Sequence, residues 1–162
     1  MRFALLASLL LIAVAFAAKA DQPPVDREVE ATFCANAKTQ LDMTQCAGTA
    51  ADAADRDLNA TYQAVLKKWA NFPGMIEKLR ASQRAWLAYR DADIASRFAN
   101  ADAEGANRGT AYPAAYGFYR AGLERERTAR LCEYLRGDAY GERDSAPCAD
   151  LVRHPLIVPH AY

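Results

Sequence analysis

Apolar and small residues recur along this chain at steps of three and four, and no segment alternates with period two for long enough to predict a strand. From Met43 the series Met43, Ala47, Ala50, Ala54, Leu58, Tyr62, Val65 and Trp69 traces one face of a long helix. Asn71-Phe72-Pro73-Gly74 ends it, and Pro73 suits the first turn of the next helix. That second helix is expected from about Pro73 to Asn100, with Ile76, Leu79, Gln83, Trp86, Arg90 and Ile94 inward. A polar, glycine-containing stretch follows and reads as an exposed loop. A third helix is predicted from Tyr112 to Arg136, carrying Ala115, Tyr116, Tyr119, Leu123, Arg127, Leu131 and Tyr134 or Leu135 at helical spacing. Gly137 and Gly141 stop it. The expected fold is all-α: a small antiparallel bundle of three long helices plus a short leading helix, in up-down-up order.

The first 20 residues differ from the rest. Arg2 precedes an uncharged run from Phe3 to Ala18, and Ala18-Lys19-Ala20 supplies small residues at a cleavage site. The run is about 16 residues, short of the roughly 20 that a spanning helix needs. Residues 1–20 are therefore expected to be a signal peptide, with 21–137 the helical domain. Residues 138–162, with Pro147, Pro155 and Pro159, are expected to form an extended tail tied back by Cys148. The expected location is periplasmic or secreted, with no stable membrane insertion after cleavage.

Charge narrows the partners. Removing Arg2 and Lys19 leaves 18 basic residues against 20 acidic ones, with no dense Lys/Arg cluster, which argues against a nucleic-acid binder. The four cysteines are Cys34, Cys46, Cys132 and Cys148, and an even count in an exported chain favours two disulfides. Of the three connectivities, the local pairs Cys34–Cys46 and Cys132–Cys148 are favoured. Twelve residues of continuous helix span about 18 Å while bridged Cα atoms lie within roughly 7 Å, so the chain must turn back between Cys34 and Cys46. A short helix around Glu28–Lys38 followed by Thr39 as N-cap meets that need, and Cys148 must return past the glycines to Cys132. Each bridge is worth on the order of 3 kcal/mol. A zinc site is disfavoured because neither CxxC nor clustered His is present, and His154 and His160 both lie in the tail.

Three polar constellations stand within otherwise apolar faces. They are Ala54-Asp55-x-x-Leu58-Asn59-x-x-Tyr62, Gln83-x-x-Trp86-x-x-Tyr89-Arg90-Asp91-Ala92, and Arg127-Thr128-x-x-Leu131. Buried Arg and Asp are costly unless paired, so Arg90 is expected to meet a carboxylate, with Asp55 the leading candidate. Joined to Cys34, Thr39-Gln40-x-x-Met43-x-x-Cys46-Ala47 and Ala85-Trp86-Leu87, these pieces resemble the LprI-like lysozyme inhibitors, over roughly Cys34 to Leu131. The resemblance implies a small exported bacterial helical domain that, in some members, inhibits lysozyme. This chain departs from the family pattern at two positions. Ile94 and Tyr119 stand where the family carries cysteines, and their packing is expected to fill the same space.

The residues favour a structural polar core over an active site. Asp55, Asn59, Tyr62, Gln83, Trp86, Arg90, Asp91 and Arg127 read as a pairing and packing set that fixes helix register. No catalytic triad, phosphate loop or metal cluster is apparent, so no enzyme, catalytic residue, cofactor or metal is expected. The loop 101–110 is longer than a helix connection needs and is the candidate partner surface. There Asp102, Glu104 and Asn107 are expected to meet basic or polar groups of a protein partner, and Arg108 its carboxylates. The expected function is non-enzymatic binding, with a lysozyme as the candidate partner. An immunity or envelope-stress protein is the alternative, and a cell-wall enzyme ranks behind both.

Overall fold

Thr39 starts the first helix by a reciprocal cap. In the computed structural model, which describes residues 34–99 and 109–137, Thr39 Oγ1 accepts the Asp42 N–H at 3.1 Å. Asp42 Oδ2 in turn accepts the Thr39 N–H at 3.0 Å. Hydrogen bonding to the carboxylate, from the Thr39 side chain and then from the N–H groups of Lys38 and Thr39, holds Asp42 below its ordinary range. Helix α1 then runs Gln40–Lys68, with Lys67 and Lys68 in its last turn opposing the dipole. Helix α2 runs Pro73–Arg97, begun by a proline whose missing N–H costs nothing in a first turn. Helix α3 runs Tyr112–Arg136 and ends at Gly137, whose φ of 146° suits a residue without Cβ. No strand occurs among the described residues.

The helices run up, down and up, so α1 and α3 are parallel neighbours. At one end Ala47, Ala50, Ala51 and Ala54 of α1 meet Ala114, Phe118 and Ala121 of α3 in a core of small residues that also includes Cys34. Gly117 sets their separation. A Cβ built there would lie 3.1 Å from the carbonyl carbon, oxygen and Cβ of Ala47. At the other end Leu58, Val65, Leu79, Leu131 and Leu135 form a larger-residue core, flanked by Tyr62, Trp69, Met75 and Trp86. There the Trp69 indole donates to the Tyr134 carbonyl at 2.9 Å, and the Lys68 ammonium to the Leu135 carbonyl.

Helix α2 runs antiparallel to α3 and is less embedded. Only Leu79, Gln83 and Ile94 of its residues are buried, whereas α3 buries twelve. Ile76, Trp86 and Arg90, also expected inward, are half-buried. Helix α3 is covered from two sides, so its buried surface is wider than one helical stripe. Ala115, Tyr116 and Tyr134 from the predicted face are exposed, while Ala114, Phe118, Ala121 and Glu124 beside it are buried.

The Cys34–Cys46 bridge is present, with Cα atoms 5.8 Å apart. Cys132 is buried and is not a free thiol, and its expected partner Cys148 lies outside the described residues. Of the short helix expected around 28–38, only residues 34–38 are among the described residues. They form a turn in which the Ala37 N–H reaches the Cys34 carbonyl at 3.0 Å. Residues 28–33, together with 1–20, expected to be a signal peptide, and 138–162, expected to be a tail, lie outside the described residues. Helix α2 stops at Arg97 instead of continuing to Asn100. Among the described residues no helix is long and apolar enough to cross a membrane.

Candidate functional site

A buried carboxylate ties the helices together. Glu124 of α3 has a side chain with no exposed surface, and its Oε1 accepts Arg120 Nε at 2.8 Å and an Arg90 guanidinium N–H at 3.2 Å. Arg120 also reaches back to Asp55 of α1 at 3.6 Å, and Asp55 accepts the Asn59 amide at 3.0 Å. Arg90 Nε and Nη2 both donate to Asp91 Oδ1, at 2.9 and 2.8 Å. The carboxylate that meets Arg90 in the interior is therefore Glu124. Asp55, expected in that role, belongs to Arg120. Asn59 and Asp91 are exposed, and Asp55 is half-buried.

Two opposing effects act on Glu124. Burial raises its pKa above the ordinary 4.5, the Arg120 hydrogen bond and the two guanidinium charges lower it, and burial prevails. Its Oε2 receives no hydrogen bond from the described residues, which leaves the anion incompletely compensated. Burial pulls the Arg120 pKa down, but the Glu124 carboxylate outweighs it and the net shift is upward.

One turn further along, Arg127 is buried and locks α3 to α2. Its Nε donates to Gln83 Oε1 at 2.9 Å and an amino group donates to Ser82 Oγ at 3.0 Å. The Trp86 ring is in contact with two guanidiniums, Arg90 at 5.6 Å and Arg127 at 5.8 Å from its centroid. Thr128 Oγ1 bonds the Glu124 carbonyl at 2.8 Å, so its polar atom is satisfied within α3. Tyr62 lines the larger-residue core.

The far end of α2 and the start of α3 join through rings. Phe98 lies 5.5 Å from Tyr112, 5.4 Å from Tyr116 and 5.9 Å from Tyr119, centroid to centroid. The Tyr119 hydroxyl donates to Asp93 Oδ2 at 2.5 Å, and the Arg97 guanidinium stands 5.2 Å from the Tyr119 ring centroid. Burial and the Asp93 carboxylate push the Tyr119 hydroxyl up to about 12. Ile94 is buried as expected, whereas Tyr119 links α2 to α3 by a hydrogen bond as well as by packing.

These groups come together as a fastening. A cleft of about 320 Å³ lies elsewhere, between the leading turn and the start of α1, lined by Cys34, Asn36, Ala37, Asp42, Gln45, Cys46 and Thr49. It contains none of the Glu124 network. Among the described residues no group of three or more His, Cys, Asp or Glu is placed to hold a metal. Asp102, Glu104, Asn107 and Arg108 lie outside the described residues. Glu124, Arg120, Ser82 and Asp93 carry no distinctive mark in the sequence. Arg120 and Glu124 at i and i+4 are the signal available for one pair, but that spacing equally describes a solvated helix face.

The family model for lysozyme inhibitor LprI matches residues 34–131. That range spans α1, α2 and most of α3 and includes both polar fastenings. A protein of Rhizobium meliloti (strain 1021), described only as uncharacterized, is 34% identical over 146 residues, covering 83% of this chain and 96% of that protein. No solved structure matches.

Proposed function

Because this chain belongs to the lysozyme inhibitor LprI family, through the match over residues 34–131, we propose that it is an exported, non-enzymatic protein that inhibits a muramidase by occupying its cleft. The match is the observation that carries this reading. Its physical support is a preorganised scaffold. A projection already held in its bound shape loses little conformational freedom on binding, and that entropy otherwise opposes affinity. Here a disulfide pins the leading turn, and the buried Glu124 carboxylate and the buried Arg127 fasten α2 to α3.

Export through residues 1–20 and a second bridge from Cys132 to Cys148 belong to the same proposal. So do partner contacts by Asp102, Glu104, Asn107 and Arg108. An oxidising compartment suits a small disulfide-bonded domain and supplies the location in which a cell-wall hydrolase is met. Binding requires no cofactor.

The test is a cell-wall lysis assay with excess mature protein, residues 21–162, against chicken-type, goose-type and bacterial lysozymes. Loss of lysis with at least one of them is expected. Unchanged rates with all three would remove the inhibitor reading.

A further inference from the structure

Three polar contacts hold the inner face of α2 to α3, and a proton affects them differently. Arg127 binds Gln83 and Ser82, and none of the three changes charge between acid and neutral pH. The Tyr119 hydroxyl, pushed up to about 12, keeps its proton and donates it to Asp93. The third contact joins Arg90 to Glu124, whose side chain has no exposed surface. Both guanidiniums that reach Glu124 converge on Oε1, and Oε2 receives no hydrogen bond from the described residues. Each guanidinium also has a second carboxylate nearby. Arg90 has Asp91 at 2.8 Å, and Arg120 has Asp55 at 3.6 Å. The charged groups that face Glu124 are therefore Asp55 from α1, Arg90 with Asp91 behind it from α2, and Arg120 from α3 itself. Three carboxylates share two guanidiniums, and of the three Glu124 alone is shut off from water.

We propose that Glu124 is a pH-operated catch on α2: the helix stays docked on α3 while Glu124 carries a proton, and opens more often once the proton leaves. The device is independent of the inhibitor reading. An ionised carboxylate that is buried and only half hydrogen-bonded is costly. Undocking α2 removes one wall of its enclosure and lets water reach Oε2. The Arg90 contact is lost, but Arg120 stays beside the carboxylate on the same helix. The neutral acid gains nothing comparable from water, and Arg90 and Arg120 still keep Asp91 and Asp55 as counter-ions. The raised pKa of Glu124, with burial as its largest cause, agrees with this direction. A docked-state pKa above the undocked one means that the proton favours docking. That added hold is full below the undocked value and is lost as pH rises through the docked one. The small-residue core between α1 and α3 contains no titratable side chain, so the effect is confined to α2.

The experiment follows amide hydrogen exchange by NMR in the oxidised mature protein from about pH 4 to about pH 7, with intrinsic rates divided out. The opening constant of the α2 amides is expected to rise with pH, by up to about tenfold for each unit between the docked and undocked pKa values, while that of α1 stays level. Glu124→Gln keeps the shape and remains neutral, so its α2 opening should be independent of pH and close to the parent's value in acid. Asp93→Asn removes the other carboxylate on this contact and should leave the pH dependence in place. A carbon-13 titration of the Glu124 carboxyl in the parent supplies a second reading that needs no variant. Its midpoint should coincide with that of the α2 exchange. The catch is refuted if α2 opening in the parent is flat or falls as pH rises, if the two midpoints differ, or if the rise survives in folded Glu124→Gln.

Discussion

The two interfaces that α3 makes are built on opposite principles. Against α1 it presents Ala114, Gly117 and Ala121, so the backbones approach until one methyl at Gly117 would press on Ala47. Against α2 it presents Glu124, Arg127 and Tyr119, and the contact is made by long polar and aromatic side chains. The first interface has high steric precision at its Ala–Gly end, and its charge lies further along, in the Arg120–Asp55 pair. The second tolerates distance but depends on completed pairings, because a buried polar group that loses its partner costs about 1–3 kcal/mol. The α1–α3 pair is thus the rigid unit of the bundle, and α2 is fastened to it at a few points.

The largest expected effect attacks the close interface. Gly117→Leu forces α1 and α3 apart and should cost about 3 kcal/mol or more, read as a fall in the urea midpoint with little change in slope. Replacing Cys34 and Cys46 together by Ser removes the bridge at the same end and is expected to cost about 3 kcal/mol. Both should lower protection from hydrogen exchange in α1 and α3 together.

Attacking the other interface should separate the two regions. Arg127→Ala strips Gln83 and Ser82 of their partner and is expected to cost about 2 kcal/mol. Its signature is faster amide exchange in α2 while α1 and the start of α3 keep their protection. Equal loss of protection in all three helices would contradict the division. A smaller, local effect is expected at the cap, where Thr39→Ala should cost about 1 kcal/mol and fray the first turn of α1.

The subtlest prediction concerns pH. The folded-state pKa of Glu124 is raised, so in the window between its unfolded value and its folded value the native state binds the extra proton. Its favourable contribution is full below the unfolded pKa and is lost as pH rises through the folded one. Stability should therefore decline with rising pH across that window, and Glu124→Gln should flatten the decline. A Gln variant with the parent's slope in urea titrations would show that Glu124 does not carry it.

Much of this arrangement is legible in the sequence where the determinants are local. Thr39 with Asp42, Pro73, and Tyr112 to Gly137 mark starts and stops within a few residues of one another, and the structure follows them. What depends on register between helices is less legible. Arg90 calls for a carboxylate, but choosing Glu124 over Asp55 requires knowing that α3 lies between α1 and α2. The same position explains why Glu124 itself escapes notice, since a charged residue beside Arg120 also fits an exposed face. Cys34 and Cys46 announce a reversal of the chain without specifying whether a helix or a turn performs it.

The proposed occupation of a muramidase cleft is tested by calorimetric titration of the mature protein into chicken-type lysozyme, with and without a saturating chitooligosaccharide. Saturable one-to-one binding that the oligosaccharide abolishes is the expected result. Binding that persists with the cleft already filled, or no binding at all, would contradict the account.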